Sequence, residues 1–306
     1  MSYRNNSKIE KYEIVRKVAK GRFSIYQVRY KGQDYALKIY PFKEKKSSFY
    51  FKNESRFLNL NHPNIITILE AKEETKSITG DGPLFTYSYI VMEYAPYGDF
   101  LSLFTKMHLR LDEKLVRTFF HQLVEGVEYL HSNGISHMDL KPDNLLIGKD
   151  YQLKIADFDL AYKEGDMYIR SRGTKHYRAP EILRSQCKDP KKADIYSLAI
   201  ILFIFKTNGR FPQKEGEFHK EMDLYALLQN DIDMFWENHA ELLGLPIEFF
   251  SPDFKELFYI MTREDPEERA TIADIKKSSW YRRETYNQEQ LKDIMRKALS
   301  NPLHWY

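Results

Sequence analysis

An α+β protein of two unequal lobes, the first small and β-rich with one helix and the second larger and mainly helical, is what the 306-residue sequence predicts. Two changes of pattern and one short junction carry that prediction. From Tyr12 to Tyr94, short runs rich in β-branched and aromatic residues alternate with turns. After Gly98 the apolar residues recur at helical spacing instead. Between them Ala95-Pro96-Tyr97-Gly98 has the composition of a short hinge, and a cleft between two lobes commonly takes a small ligand.

The strands expected in the first lobe are Glu13 to Val18, Phe23 to Tyr30, Asp34 to Tyr40, Ile65 to Ala71 and Tyr87 to Tyr94. One helix, Ser48 to Leu60, carries Phe57, Leu58 and Leu60 among charges, as a helix packed on a sheet does. In the second lobe Leu115, Phe119, Phe120, Leu123, Val124, Val127 and Leu130 mark a long amphipathic helix. The run Ile195 to Phe205 reads as a buried helix, far short of the roughly 20 apolar residues that span a bilayer. Thr79-Gly80-Asp81-Gly82-Pro83 and Gln213-Lys214-Glu215-Gly216-Glu217 are loops. From Glu284 onward, Leu291, Ile294, Met295, Ala298 and Leu299 form one face of a helix expected to pack on the large lobe.

Charge excludes some functions. Forty-seven basic against 44 acidic residues leave a net charge of +3, too balanced for a surface built to coat nucleic acid. The single cysteine, Cys187, cannot form an intramolecular disulfide, so a reducing compartment is expected, the cytoplasm with the nucleus equally compatible. Met1 to Tyr12 lacks the apolar core of a secretory signal.

Chemistry is concentrated in His137-Met138-Asp139-Leu140-Lys141-Pro142-Asp143-Asn144. Asp139 can orient a hydroxyl nucleophile, Lys141 can neutralise charge on a moving phosphoryl group, and Asn144 can offer an oxygen to Mg²⁺. Upstream lies Ala36-Leu37-Lys38-Ile39, and downstream lie Asp157-Phe158-Asp159-Leu160 and Arg172-Gly173-Thr174-Lys175-His176-Tyr177-Arg178-Ala179-Pro180-Glu181. In this order and spacing the set resembles the eukaryotic protein kinases, and Lys-Pro-Asp-Asn resembles their serine/threonine branch. The resemblance covers about residues 12 to 283, divided into an N-lobe (12–94) with helix C and a C-lobe (95–283), followed by a helical tail (284–306).

The resemblance implies ATP and Mg²⁺ as cofactors and protein serine or threonine hydroxyls as acceptors. Asp139, Lys141 and Asn144 would be catalytic, and Asn144 with Asp157 would bind metal. The nucleotide would meet Ala19, Gly21, Ala36, Lys38, Glu54, Glu93, Ala95, Asp99 and Leu146. Lys38 would pair with Glu54 of helix C, with Leu58 a turn later facing the core; the onward distance from Glu54 to His62-Pro63-Asn64-Ile65 is one residue short. Glu54 as a surface charge and Asp99 as a helix cap are the plainer alternatives. Thr174 would bond the catalytic aspartate and lysine, and Glu181 would pair with Arg269. Asp194 would brace the catalytic loop, unless it is only a helix N-cap.

Four departures from the family pattern stand out. The glycine-rich segment Val18 to Tyr26 keeps only its central glycine, Gly21, and alone would read as an ordinary β-hairpin. Tyr26 falls where the family places a valine over the adenine. Met138 replaces the arginine that clamps a phosphorylated activation loop (the non-RD type), which predicts activity without phosphorylation of Ser171 or Tyr168, although Arg170, Arg172 and Lys175 lie nearby. Asp159 replaces the glycine after Asp157-Phe158. Two rival readings are a pseudokinase scaffold and a small-molecule phosphotransferase. The retained Lys38, Asp139 and Asp157 argue against the first, and the full Gly173 to Glu181 segment against the second.

Overall fold

A computed structural model describes residues 8–42, 46–77, 85–169, 173–212 and 224–300. The loops foreseen at 79–83 and 213–217, and Ser171 with Arg170 and Arg172, lie outside the described residues.

The first lobe is an antiparallel sheet in the order β1-β2-β3-β4-β6-β5. Its strands are β1 (Lys8–Ile9), β2 (Tyr12–Lys20), β3 (Ser24–Tyr30), β4 (Gln33–Pro41), β5 (Ile68–Ser77) and β6 (Phe85–Glu93). Alternation divides their side chains between two faces. Tyr12, Tyr26, Val28, Leu37 and Val91 form a separate outer cluster, whereas Phe23, Ala36, Tyr40, Ile90 and Met92 join the main core. The strand foreseen at Ile65 to Ala71 starts later. Ile65 and Ile66 instead bridge to the other lobe, with the Ile66 N–H donating to the Ile155 carbonyl at 2.8 Å. β5 lies at the sheet's edge, where its charged residues Glu70, Lys72, Glu73 and Glu74 suit an uncovered strand.

Helix α1 (Ser47–Ser55) is shorter than foreseen. Arg56 caps it, and the Phe57 N–H bonds back to the Glu54 carbonyl at 3.1 Å, a tightened three-residue step that turns the following residues. The expected core contact therefore moves. Phe57 is 2% exposed and Leu58 is 37% exposed, so Phe57 and not Leu58 meets the core.

In the second lobe, α2 (Phe100–Thr105) and α3 (Glu113–Ser132) begin at the capping carboxylates of Asp99 and Asp112. Short strands β7 (Ile135–Ser136), β8 (Leu145–Ile147), β9 (Leu153–Ile155) and β10 (Tyr162–Lys163) make two hairpin-like pairs, β8 with β9 and β7 with β10. Gly126 lets α3 lie close to β9, because a Cβ there would stand 2.8 Å from the Ile155 Cδ1. Beyond the short α4 (Pro180–Leu183), α5 (Pro190–Lys206) is buried almost throughout. Its Phe203 packs against Phe235, Trp236, Phe250 and Phe258, from α7 (Ile232–Leu243) and α8 (Pro252–Met261) and the turn between them. Between these lie α6 (Leu224–Asn230) and, later, α9 (Ile272–Lys277). The tail helix α10 (Gln288–Ser300) buries Leu291, Met295 and Ala298 on this lobe, and Gln288 and Lys292 bond to Asp150 at 2.7 and 3.2 Å. No described helix is long and apolar enough to cross a membrane.

Candidate active site

Lys38 projects from the core face of β4 toward three carboxylates. Its Nζ lies 2.6 Å from the Glu54 Oε2, 2.5 Å from the Asp157 Oδ1 and 3.9 Å from the Asp159 Oδ2. Burial opposes the ammonium charge, but Asp157 and Glu54 outweigh it and hold Lys38 well above its ordinary range. Glu54 is fully buried, so its reading as a surface charge is ruled out. Tyr40, two residues after Lys38 on the same face, donates its hydroxyl to the Glu54 Oε2. Sequence reasoning missed Tyr40, although its spacing from Lys38 places it there.

The loop after β7 is held from below by Asp194. That carboxylate accepts the His137 N–H at 2.8 Å, the Met138 N–H at 2.9 Å and the His131 Nε2 at 3.0 Å. The N-cap of α5 is Asp189, so the cap alternative for Asp194 fails. Those bonds hold Met138 at φ +66°, a left-handed conformation unusual for a side-chain-bearing residue. The His137 Nε2 lies 2.9 Å from the Ala156 carbonyl, which can only accept, so that nitrogen carries the proton and Nδ1 accepts the Asp139 N–H at 3.3 Å.

Asp139 is fixed on both oxygens. Oδ1 accepts the Thr174 N–H at 2.6 Å, and Oδ2 accepts Lys141 Nζ at 2.9 Å. Lys141 also donates to the Thr174 Oγ1 at 2.8 Å, closing a ring of three residues through the Thr174 backbone N–H. Asn144 Nδ2 donates to the Asp139 carbonyl at 2.9 Å, a bond that does not use the Asn144 oxygen. Gly173 is required by proximity, because a Cβ there would stand 2.4 Å from the Met138 carbonyl oxygen. Arg269 and Glu181 form a buried bidentate pair at 2.6 and 2.9 Å, behind this segment.

Asp157 sits at φ +68° with its side chain about one-third exposed. Burial opposes its ionisation, yet the Lys38 charge prevails and holds its carboxyl below the usual range. Phe158 is buried between Phe57 and His137, with ring centroids 5.6 and 5.1 Å away. Asp159 is not among the positive-φ residues, so no glycine is needed at its position. Burial and the neighbouring Asp157 charge push its carboxyl up to about 7. Asn53 of α1 ties down the segment through the Phe158, Asp159 and Ala161 carbonyls at 3.3, 3.0 and 2.9 Å. Arg22, Asn53 and His131 were not legible in the sequence, since each acts across a long separation.

The other nucleotide-site residues line the cleft more loosely. Ala36 shares the face of Lys38, Leu146 is half-buried on β8, and Ala19 pairs with Ile25 at the end of β2. Gly21 lies in the three-residue turn between β2 and β3, where a Cβ would meet nothing within 4 Å. Ile25 pairs with Lys38 and Tyr26 with Leu37. Tyr26 therefore faces away from the cleft, and Ile25 takes the place expected of it. The Glu93 side chain accepts the Thr67 N–H and Lys154 Nζ, each at 2.8 Å, and Ala95 follows at the crossing between lobes. Asp99 caps α2 through the Ser102 N–H and hydroxyl at 2.7 and 2.9 Å.

The oxygen donors of the site suit Mg²⁺. No group of three or more His, Cys, Asp or Glu side chains among the described residues could hold a metal. Mg²⁺ does not need one, since it binds through one or two protein oxygens together with phosphates and water. The Asp157 carboxylate and the Asn144 amide oxygen, on the two loops that face Lys38 and Asp139, fit that requirement.

Residues 12–281 match the protein kinase domain family. CBL-interacting protein kinase 26 of Oryza sativa subsp. japonica is 33% identical over 296 residues, which cover 92% of this chain and 54% of that protein. CBL-interacting serine/threonine-protein kinase 8 of Arabidopsis thaliana is 33% identical over 298 residues, 94% of this chain and 60% of that protein. The chain thus spans a little over half the length of these curated relatives. With the lysine, the aspartates and the Glu181–Arg269 pair all held in one two-lobed frame, and a family match across nearly the whole chain, the protein belongs to the protein kinase family.

Proposed function

We propose that the chain is an ATP- and Mg²⁺-dependent protein kinase that phosphorylates serine and threonine hydroxyls of protein substrates, with a catalytic domain at 12–283 and a tail at 284–306, of which 301–306 lie outside the described residues. The observation that carries this reading is the ring of Asp139, Lys141 and Thr174, set opposite the Lys38–Glu54 pair. A scaffold without catalysis has no need to fix both oxygens of Asp139.

In the reaction, Asp139 accepts the hydrogen bond of the substrate hydroxyl and aims its oxygen in line with the phosphoryl group. Lys141 lies within 2.9 Å of Asp139 and stabilises charge on the transferred group. Lys38, kept charged by its carboxylates, holds the α and β phosphates. Asn144 and Asp157 are the residues that would hold Mg²⁺, which supplies charge neutralisation on the phosphates. Glu93 and Ala95 offer backbone groups to adenine, Ala36, Ile25 and Leu146 enclose it, and Asp99 lies at the ribose end. Met138 is buried and carries no charge to receive a loop phosphate, so turnover proceeds without phosphorylation of Ser171. A single cysteine, Cys187, which can form no intramolecular disulfide, suits a cytoplasmic or nuclear location. The names of the relatives add an interaction with CBL, which is a property of those proteins, and the stretch shared with this chain is chiefly the kinase domain.

The test is Mg²⁺-dependent phosphate transfer from ATP to a mixed peptide array, with Asp139→Asn and Lys38→Met as controls. Transfer to serine or threonine that disappears in both variants supports the enzyme. Nucleotide binding without transfer by the parent would make it a pseudokinase scaffold.

A further inference from the structure

Two departures from the family pattern meet in space. The turn joining β2 and β3 has lost its outer glycines to Ala19 and Ser24, and the metal-side segment carries Asp159 in place of glycine. Across 137 residues, Arg22 at the tip of that turn places Nη1 3.0 Å from the Asp159 Oδ2. The guanidinium also lies 4.4 Å over the Tyr50 ring of α1. Its neighbour Phe23 is buried against Tyr40 and Tyr50, with ring centroids at 4.5 and 5.6 Å. The tip of the turn is thus anchored to the floor of the cleft and to α1.

The local charge explains why a cation is needed. Glu54, Asp157 and Asp159 surround the one ammonium of Lys38. A glycine at 159 would leave two carboxylates, of which Lys38 offsets one and the other remains for metal. The Asp159 side chain is 4% exposed, so its charge is poorly screened and requires a partner. Arg22 is the described cation that supplies it, from a position half in solvent.

We propose that Arg22 and Asp159 are a matched pair: Arg22, at the tip of the β2–β3 turn, neutralises the third carboxylate beside the nucleotide cleft, so that nucleotide affinity depends on Arg22 only while position 159 is an aspartate. This rests on the cleft being the ATP site. Without Arg22, Asp159 repels the phosphates, while Phe23 still seats the turn on Tyr40 and Tyr50. Without the Asp159 charge, Arg22 is no longer needed at the cleft floor.

The test is a double-mutant cycle of Arg22→Ala and Asp159→Asn, read in two ways at pH 8. The first is the affinity for a fluorescent ADP analogue with Mg²⁺, and the second is the melting temperature of the nucleotide-free proteins. Arg22→Ala is expected to weaken ADP binding on the order of tenfold, from one uncompensated charge near the phosphates. Asp159→Asn should bind within about threefold of the parent, and the double variant should bind no more weakly than Asp159→Asn alone. Arg22→Lys should restore most of the affinity, and the KM for peptide should stay constant throughout. Additive effects in both readouts, or an Arg22→Ala protein that binds ADP like the parent, would overturn the pairing. If the parent binds no nucleotide, the kinase reading falls instead, while melting temperatures still report whether the two side chains are coupled.

Discussion

Gly173→Ala should disable catalysis while sparing nucleotide binding, and the geometry sets the scale. The new Cβ would lie 2.4 Å from the Met138 carbonyl oxygen and 3.0 Å from the Asp139 Oδ1. Reaching an ordinary contact near 3.4 Å requires a shift of about 1 Å. Met138 cannot yield it readily, because its N–H and that of His137 are both held by Asp194. The Gly173–Thr174 segment must move instead, which stretches the 2.6 Å bond from the Thr174 N–H to Asp139 beyond hydrogen-bonding range. A misplacement of about 1 Å at a reacting group costs on the order of 10²-fold in rate, and overpacking costs about 1–3 kcal/mol in stability. The assay is kcat/KM on the best peptide of the array, with the ADP dissociation constant and melting temperature measured on the same preparation. The expected result is a loss of roughly 100-fold in kcat/KM, with ADP affinity held within about twofold, because Lys38 and Asp157 are untouched. A folded Gly173→Ala enzyme within about threefold of the parent's kcat/KM would refute the reasoning.

Three further outcomes follow from packing and charge. Phe57→Ala should cost about 3–5 kcal/mol in urea unfolding, by opening a cavity beside Phe158, whereas Leu58→Ala should cost less than about 1 kcal/mol; the reverse order would restore the longer helix. Glu181→Gln leaves the buried guanidinium of Arg269 without its counter-charge and should destabilise by about 3–5 kcal/mol, with little dependence on salt. Burial holds His121 and His239 below their ordinary pKa of 6.5. The unfolded chain therefore takes up protons that the folded chain refuses, so stability present above pH 6.5 is lost as pH falls below it. Melting temperatures from pH 7.5 to 5 should show that loss, and it should shrink in a His121→Gln/His239→Gln variant.

The sequence was most legible where chemistry and local spacing coincide. Asp139, Lys141 and Asn144 stand on one loop, and Lys38 lies in a strand whose apolar neighbours already imply burial, so residue type and position could be read together. Legibility failed where an element lies one residue from its expected register. After the turn at 21–23, Ile25 pairs with Lys38 and Tyr26 with Leu37, and in a strand a slip of one exchanges the two faces, so the cleft received Ile25 and not Tyr26. After Glu54 the helix ends early, and the core received Phe57 and not Leu58. In both cases the contact survived and the numbering did not, since folding selects for a filled cavity and a paired charge and is indifferent to which residue supplies them.

The same logic governs what was not legible at all. Arg22 carries no signal when read alone, whereas Asp159 looks like a defect, a charge in a glycine's place. Their meaning lies in a 3.0 Å contact that closes only after the sheet, α1 and the Asp157 segment have assembled. Asp194 differs, because its resemblance named it in advance, yet its local sequence also fitted a helix cap. Only the bonds to His131, His137 and Met138 separate the two readings. A departure from a family's pattern is therefore weak evidence of lost function until its spatial neighbour is known: an unpaired Asp159 would poison a phosphate site, whereas an Asp159 partnered by Arg22 can anchor one.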